Sequence, residues 1–451
     1  MTPIERRAAT ALASIYALRM LGLFMILPVF ALYAERLDGV TPLTVGLAIS
    51  AYGLTQALLQ IPFGLASDRI GRKPVIVFGL LLFAAGSVVA ALADSVNMVI
   101  VGRALQGSGA IAAAVLALAA DLTRESVRRR MMASIGASIG VSFALALILG
   151  PLLDRWIGVP GIFLLTALLA LVGIAVVTLV VPTASVSVHR DAEPVPGQFR
   201  VVLRDPELLR LNGGILILHT ILTATFVVFP LVLRDGAGLE AASHWQIYLP
   251  VLAFSLVGMV PLVIYAERRQ KHKPVFLGAI AVLGCGQFGL YLAGGSLIGL
   301  LVALGLMFTA FNLLEASLPS LVSKTVAGNR KGTAMGVYSP SQFFGAFLGG
   351  LLGGAVHGMA GTSAVFLLCA GLAVAWLLFA VWMRPPRHLD SRLLRVGPLS
   401  SRQAQDLTLR IGHVAGVVEV VVVAEEEIAY LKVESAQLDE AALREFSSTS
   451  A

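Results

Sequence analysis

The chain has 451 residues, 57% of them hydrophobic and only 13% charged. Soluble domains carry about 25% charge, so the polar residues here are too few to cover so apolar a core, and lipid must cover it. The net charge of +7 raises nucleic acid as a partner, which the placement of the basic residues argues against, and the two cysteines, Cys285 and Cys369, lie in apolar runs that offer neither a disulfide framework nor metal-ligand spacing.

Windows of about 20 residues, the length that spans a bilayer as helix, predict twelve helices. They fall near 11–34, 42–66, 74–93, 97–120, 131–153, 159–182, 208–234, 244–266, 274–293, 296–322, 331–356 and 361–383. Arg6 and Arg7 precede the first. Its length and the Arg19 in its middle argue against a cleaved signal sequence. Of the 33 Lys and Arg residues, 22 lie at the N-terminus, in alternate loops and at the start of the tail, and only Arg36, Arg155 and Arg234 lie in the opposite loops. That asymmetry places both termini in the cytoplasm and explains the positive charge as topology, with no nucleic-acid partner.

The second and third predicted helices are joined by Gly64-Leu65-Ala66-Ser67-Asp68-Arg69-Ile70-Gly71-Arg72-Lys73-Pro74, a short hydrophilic break between apolar runs. Glu267-Arg268-Arg269-Gln270-Lys271-His272-Lys273-Pro274 stands at the equivalent place after the eighth helix. Arg129 to Gly136 and Arg330 to Gly336 match loosely at the starts of the fifth and eleventh. The chain therefore reads as two parallel six-helix repeats, 1–182 and 208–384, around a linker at 183–207. Such repeats build transporters with a site between the halves. Phe199 to Arg204 in the linker suits a short amphipathic helix on the membrane surface.

Three segments carry a family resemblance. The 64–74 loop resembles motif A of the major facilitator superfamily, and Val101 to Gly109 resembles motif B. Gly136, Gly140, Gly150 and Pro151 resemble motif C of its twelve-helix drug:proton antiporters, although Leu152-Leu153-Asp154 stands where a Gly-Gly pair is usual. The run Tyr52 to Pro74, with Gly332 to Ser339, looks like the YajR-type bacterial transporters, a group that also carries a small C-terminal domain. The resemblance implies a bacterial inner-membrane protein that moves small molecules by alternating access. It also implies that Gly64, Asp68, Arg69, Gly71 and Arg72, with Asp121 as relay, latch the two halves, and that helices 1, 4, 7 and 10 line the cavity. The other reading of the charged loop is a solvated turn that only sets topology. Gly345, Gly349 and Gly353 form a small-residue face suited to close helix packing.

Polar groups within spans are costly and tend to face a cavity or a partner. Arg19, Arg103, His219, Asn312 and Glu315 all fall on the helices expected to line the cavity. Glu315 is the one carboxylate well inside a span, which makes it the candidate proton-coupling site, the alternative being a structural hydrogen bond. His219 is a second candidate. Arg19 and Arg103 are open to two readings, facing substrate or bracing helices. Many proton-driven exporters of lipophilic cations in the family this chain resembles keep an acid on the first span; this chain has Arg19 and no acid there, which by that resemblance favours neutral or anionic substrates.

Beyond about 390 the charge density rises. Leu393–Val396, Val417–Val423 and Ile428–Val433 read as strands, and 401–414 (capped by Ser400 or Ser401) and 437–446 as helices. The order βαββα predicts a small α+β ferredoxin-like domain at 390–451, with no Cys for a metal and no legible ligand or protein partner. Gly136-Ala137-Ser138-Ile139-Gly140 matches a hydrolase pattern but lies inside a predicted membrane helix, and no phosphate-binding loop is present. The sequence thus predicts no enzyme and no cofactor. It predicts an all-α integral membrane transporter with a cytoplasmic tail domain, driven by an ion gradient. Proton-coupled efflux is the leading reading, and a facilitator or proton symporter for uptake of a small neutral or anionic solute is the alternative.

Overall fold

The computed structural model describes residues 1–182, 199–326, 331–384, 390–424, 427–434 and 437–447. The expected linker therefore lies outside the described residues up to 198. The chain divides into a large helical unit, Met1–Val322 with Arg330–Arg384, and a small unit, Ser323–Asn329 with Pro385–Ala451.

The helical unit runs α1 Pro3–Phe24, α2 Phe30–Ala34, α3 Pro42–Ile70, α4 Arg72–Ala91, α5 Val96–Ser108, α6 Ala112–Asp121, α7 Glu125–Ala175, α8 Phe199–Val202, α9 Pro206–Leu231, α10 Trp245–Arg268, α11 His272–Ala293, α12 Leu297–Thr325 and α13 Lys331–Ala380. Among the described residues nine stretches are long and apolar enough to cross a membrane. The starts are written locally. Thr2 and Glu5 form a capping box on α1, and Asp205 accepts from the Glu207 and Leu208 amides ahead of Pro206. Gly71 ends α3 at φ 107°, a conformation only glycine adopts without strain.

The first expected span is not one helix. Proline lacks an N–H and its ring clashes with the carbonyl four residues back. Pro28 accordingly stops α1 at Phe24, and the chain turns before α2. The fourth is likewise interrupted at Gly109, between α5 and α6. The longest helices, α7 and α13, carry non-helical backbone at Gly158 (φ 67°, ψ 173°) and Gly361 (φ 82°, ψ 179°). At 1.5 Å per residue each is about two and a half times a hydrocarbon core in length, long enough for two crossings.

Helix α13 is the hub. Cβ atoms added at Gly345 and Gly349 would overlap the carbonyl oxygens of Leu216 and Thr220, and one at Gly353 would lie 3.0 Å from Ala224 Cα, all on α9. This is the small-residue face expected from the sequence. A second face has no such forewarning. Gly350 abuts the Gly46 carbonyl and Ser50 on α3, a Cβ at Gly354 would stand 2.5 Å from the Pro42 carbonyl, and Gly358 meets Pro42. Near this same end Arg234, after α9, donates to Glu35, after α2, at 2.6 and 2.8 Å. These contacts join residues before and after the linker.

At the N-terminus, Glu5 accepts from Arg124 Nε at 2.9 Å and from Arg124 Nη2 at 3.3 Å. The Arg124 hydrogen bond holds the Glu5 carboxyl down at about 2, against an ordinary 4.5. A carboxylate whose folded value is depressed stabilises above its unfolded value and loses that contribution as pH falls through the folded one. Protection of the first turn of α1 against amide exchange, corrected for the intrinsic rate, is therefore expected to fall as pH drops from about 4.5 toward 2. Glu5→Gln is expected to lack that protection already at pH 7; equal protection in both proteins would show that the pair does not anchor the segment.

The small unit contains β1 Asp390–Arg395, α14 Ser401–Gly412, β2 Val417–Val423, β3 Ile428–Val433 and α15 Glu440–Arg444. Its sheet order is β1-β3-β2, antiparallel throughout, with Leu393 and Val421 both opposite Tyr430. Ser400 caps α14 in a box with Gln403. Ile411, Ala429, Leu431, Val433 and Leu443 make the core. Both expected helices are present but shorter than the sequence suggested.

Candidate functional site

Arg19 on α1 and Arg103 on α5 are 1% and 2% exposed. Their guanidinium carbons lie 5.8 and 5.4 Å from the centroid of the same ring, Tyr52 of α3. Arg103 is held on every nitrogen. Nε donates to Ala48 O at 3.3 Å, Nη2 to Ile49 O at 3.1 Å, and Nη1 to Gln106 Oε1 at 2.8 Å. Gln106 in turn donates to Ser87 on α4 at 2.7 Å. Arg19 Nη2 donates to Gln56 Oε1 at 2.7 Å and to Gly109 O at 2.9 Å. Gln56 also accepts from Tyr52 at 3.2 Å and donates to Gln60 at 2.5 Å.

A second cluster joins three helices. Gln342 of α13 donates to Glu315 Oε1 of α12 at 3.0 Å, and its amide nitrogen lies 2.9 Å from His219 Nε2 of α9. His219 Nδ1 is 3.3 Å from Ile215 O. The network is consistent when Nδ1 carries the proton and Nε2 accepts from Gln342. Glu315 Oε2 has no hydrogen-bond partner among the described residues and lies 3.8 Å from His219 Nε2. The Tyr338 hydroxyl is also enclosed without a partner among the described residues. His219 and Glu315, singled out separately by the sequence, are thus neighbours. Asn312 stands apart, donating to Ser255 of α10 at 3.0 Å. Gln56, Gln60, Gln342 and Tyr338 are site residues that sequence reasoning missed. Their signal is polarity inside apolar runs, which uncharged groups give only faintly.

The motif-A residues converge on Arg72. It ion-pairs with Asp68 and with Asp121 Oδ2 at 3.3 Å, and donates to Ser67 Oγ at 2.9 Å. Arg69 is exposed. A Cβ at Gly64 would meet Ala113 at 3.3 Å. Of the motif-C glycines, Gly150 faces Met25 O and Pro28, ahead of Pro151, whereas Gly136 and Gly140 have open space beside them.

These features, helices paired by glycine faces around polar clusters within apolar spans, define a membrane transporter. The chain belongs to the Major Facilitator Superfamily, whose sequence model matches residues 12–350 and 273–414. It is 48% identical, over 96% of each chain, to the inner membrane transport protein YajR of Escherichia coli strain K12. It is 28% identical to the multidrug resistance protein MdtH of Aeromonas hydrophila, over 75% of this chain and 84% of that one. Among solved structures, its fold matches a bacterial homologue of the human lysosomal transporter Spinster, in an inward-facing and occupied conformation, with a TM-score of 0.69. That match covers 85% of this chain and 97% of the other at 14% identity. This family consists of transporters, not enzymes.

Proposed function

We propose that the chain is a proton-coupled secondary transporter of small molecules working by alternating access, with efflux as its direction. The observation that carries this reading is the His219–Gln342–Glu315 cluster. Glu315 Oε2 and His219 Nε2 are 3.8 Å apart, with the Gln342 amide nitrogen bridging His219 Nε2 and Glu315 Oε1. Protonating His219 converts Nε2 from acceptor to donor, which expels the Gln342 amide and turns the ring toward Glu315. Protonating Glu315 removes the charge that Gln342 serves. Either event rearranges a link between α9, α12 and α13, and α13 also packs on α3. Proton binding can thereby act on the contact between the two halves.

The breaks at Gly158 and Gly361, with α1 and the α5–α6 pair each counted as one span, support twelve crossings in two halves, 1–182 and 208–384. The basic-residue asymmetry supports cytoplasmic termini in a bacterial inner membrane. In that orientation the contacts at Pro42–Gly354 and Glu35–Arg234 close the outer side, and the open space at Gly136 and Gly140 lies toward the cytoplasm, which supports an inward-facing arrangement. The Arg72–Asp68–Asp121 group is paired within the first half in this arrangement, and its role as a latch between the halves rests on the family resemblance. The order β1-β3-β2 supports a ferredoxin-like tail, without a fourth strand among the described residues.

The test is proton flux, read with a pH dye, in proteoliposomes challenged with a panel of small solutes. A substrate-triggered flux is expected in the wild type and is expected to be lost in Glu315→Gln, with substrate counterflow retained. Solute movement without proton flux in the wild type would overturn the coupling and leave a facilitator.

A further inference from the structure

One charged group has no place in that mechanism. Arg19 is almost wholly enclosed, yet its Nε and Nη1 have no hydrogen-bond partner among the described residues. Its bonded nitrogen, Nη2, reaches only neutral acceptors, Gln56 and Gly109. Among the described residues no carboxylate hydrogen-bonds to Arg19 or to Arg103 beside it. A cation removed from water needs a counter-charge or a full set of acceptors. Arg103 has the acceptors, one at each nitrogen. Arg19 has neither.

We infer that Arg19 is the anion-recognition element of the transport site and that the ligand is an organic monocarboxylate with an apolar body. This rests on the transport reading and names its substrate class. A guanidinium suits a carboxylate, whose oxygens accept in its plane. Of the two buried arginines only Arg19 has donors left open, those of Arg103 being engaged, so a single negative charge is matched and a dianion is not. The surroundings set the rest of the ligand. Phe83 lies 5.5 Å from the Arg19 guanidinium carbon, and Tyr52 and Phe83 are themselves in edge contact. Rings of this kind accept an apolar or aromatic body.

The cover over this group comes from the other half. Phe343 of α13 packs on the N-terminal core, with its ring centroid 6.0 Å from that of Tyr52. It is the immediate neighbour of Gln342 in the proton cluster. Parting α3 from α13 uncovers Tyr52 beside Arg19.

The experiment is calorimetric titration of the purified full-length protein in nanodiscs with benzoate and with benzamide, which share a shape and differ in charge. Benzoate is expected to bind at least about tenfold more tightly, the scale of a charge-assisted hydrogen bond. That preference is expected to vanish in Arg19→Gln and to survive in part in Arg19→Lys. Equal affinity for the two probes, no benzoate binding, or unchanged benzoate affinity in a folded Arg19→Gln would each overturn the inference. The wild-type comparison needs no variant to fold. The titration reads charge preference at Arg19 and the flux assay reads proton movement at Glu315, so failure of one leaves the other reading standing.

Discussion

Gly350→Ala is expected to shift the protein out of the arrangement described here. A Cβ at Gly350 would overlap the Gly46 carbonyl oxygen and the Ser50 side chain, and one at Gly46 would overlap the Gly350 carbonyl. Neither neighbour can yield cheaply, because the obstructing atoms include backbone of two packed helices. Overpacking of this kind costs about 1–3 kcal/mol. The cost falls only on the conformation in which α3 and α13 touch, so it enters the equilibrium between conformations directly and moves it roughly fivefold to a hundredfold.

A cysteine pair measures that shift. Cβ atoms at Pro42 and Gly358 would be 3.6 Å apart, within disulfide range. In a background without Cys285 and Cys369, Pro42→Cys/Gly358→Cys is expected to crosslink readily, and adding Gly350→Ala is expected to slow it, by at most the same factor. Gly371→Ala is the control, since Gly371 has open space beside it. Crosslinking unaffected by Gly350→Ala would mean that the α3–α13 contact does not distinguish the two conformations.

The glycines show what the sequence could and could not disclose. Gly345, Gly349 and Gly353 repeat every four residues, which is enough to define a helix face, and that face meets α9. Gly350, Gly354 and Gly358 repeat in the same way one residue on. Their partners, Gly46 and Pro42, lie some three hundred residues away, and no local pattern encodes such a pairing. The same holds for Glu35 with Arg234 and for Gln342 with His219 and Glu315. Spans were legible because hydrophobic length is a local property. The break before α2 was also local, since Pro28 forbids the helix that hydropathy alone draws through it. Charged site residues stood out against apolar neighbours, whereas Gln56, Gln60 and Gln342 did not, because an uncharged amide hardly lowers the hydropathy of a window. The tail strands were legible from alternation and from β-branched runs such as Val420-Val421-Val422-Val423. Their order in the sheet came only with the structure.

The two buried arginines looked alike in the sequence and differ in what they hold, and the difference has a measurable consequence. Arg103→Ala is expected to destabilise the fold by roughly 3 kcal/mol, combining unsatisfied buried acceptors with a cavity. The acceptors left behind are the carbonyls of Ala48 and Ile49 and the Gln106 side chain, enclosed where α3, α4 and α5 meet. Arg103→Lys is expected to rescue little of this. A single ammonium cannot reproduce three donors spread around a plane and aimed at two different helices. Arg19→Gln is expected to cost far less, because only one of its nitrogens is bonded and the amide can still serve Gln56 or Gly109. The midpoint of detergent-induced unfolding reads the comparison. A large loss in Arg103→Ala beside a small one in Arg19→Gln would make the first arginine a brace and leave the second for the ligand. Similar losses in both would mean that each is structural. An undiminished midpoint in Arg103→Ala would remove the brace and return Arg103 to the transport pathway.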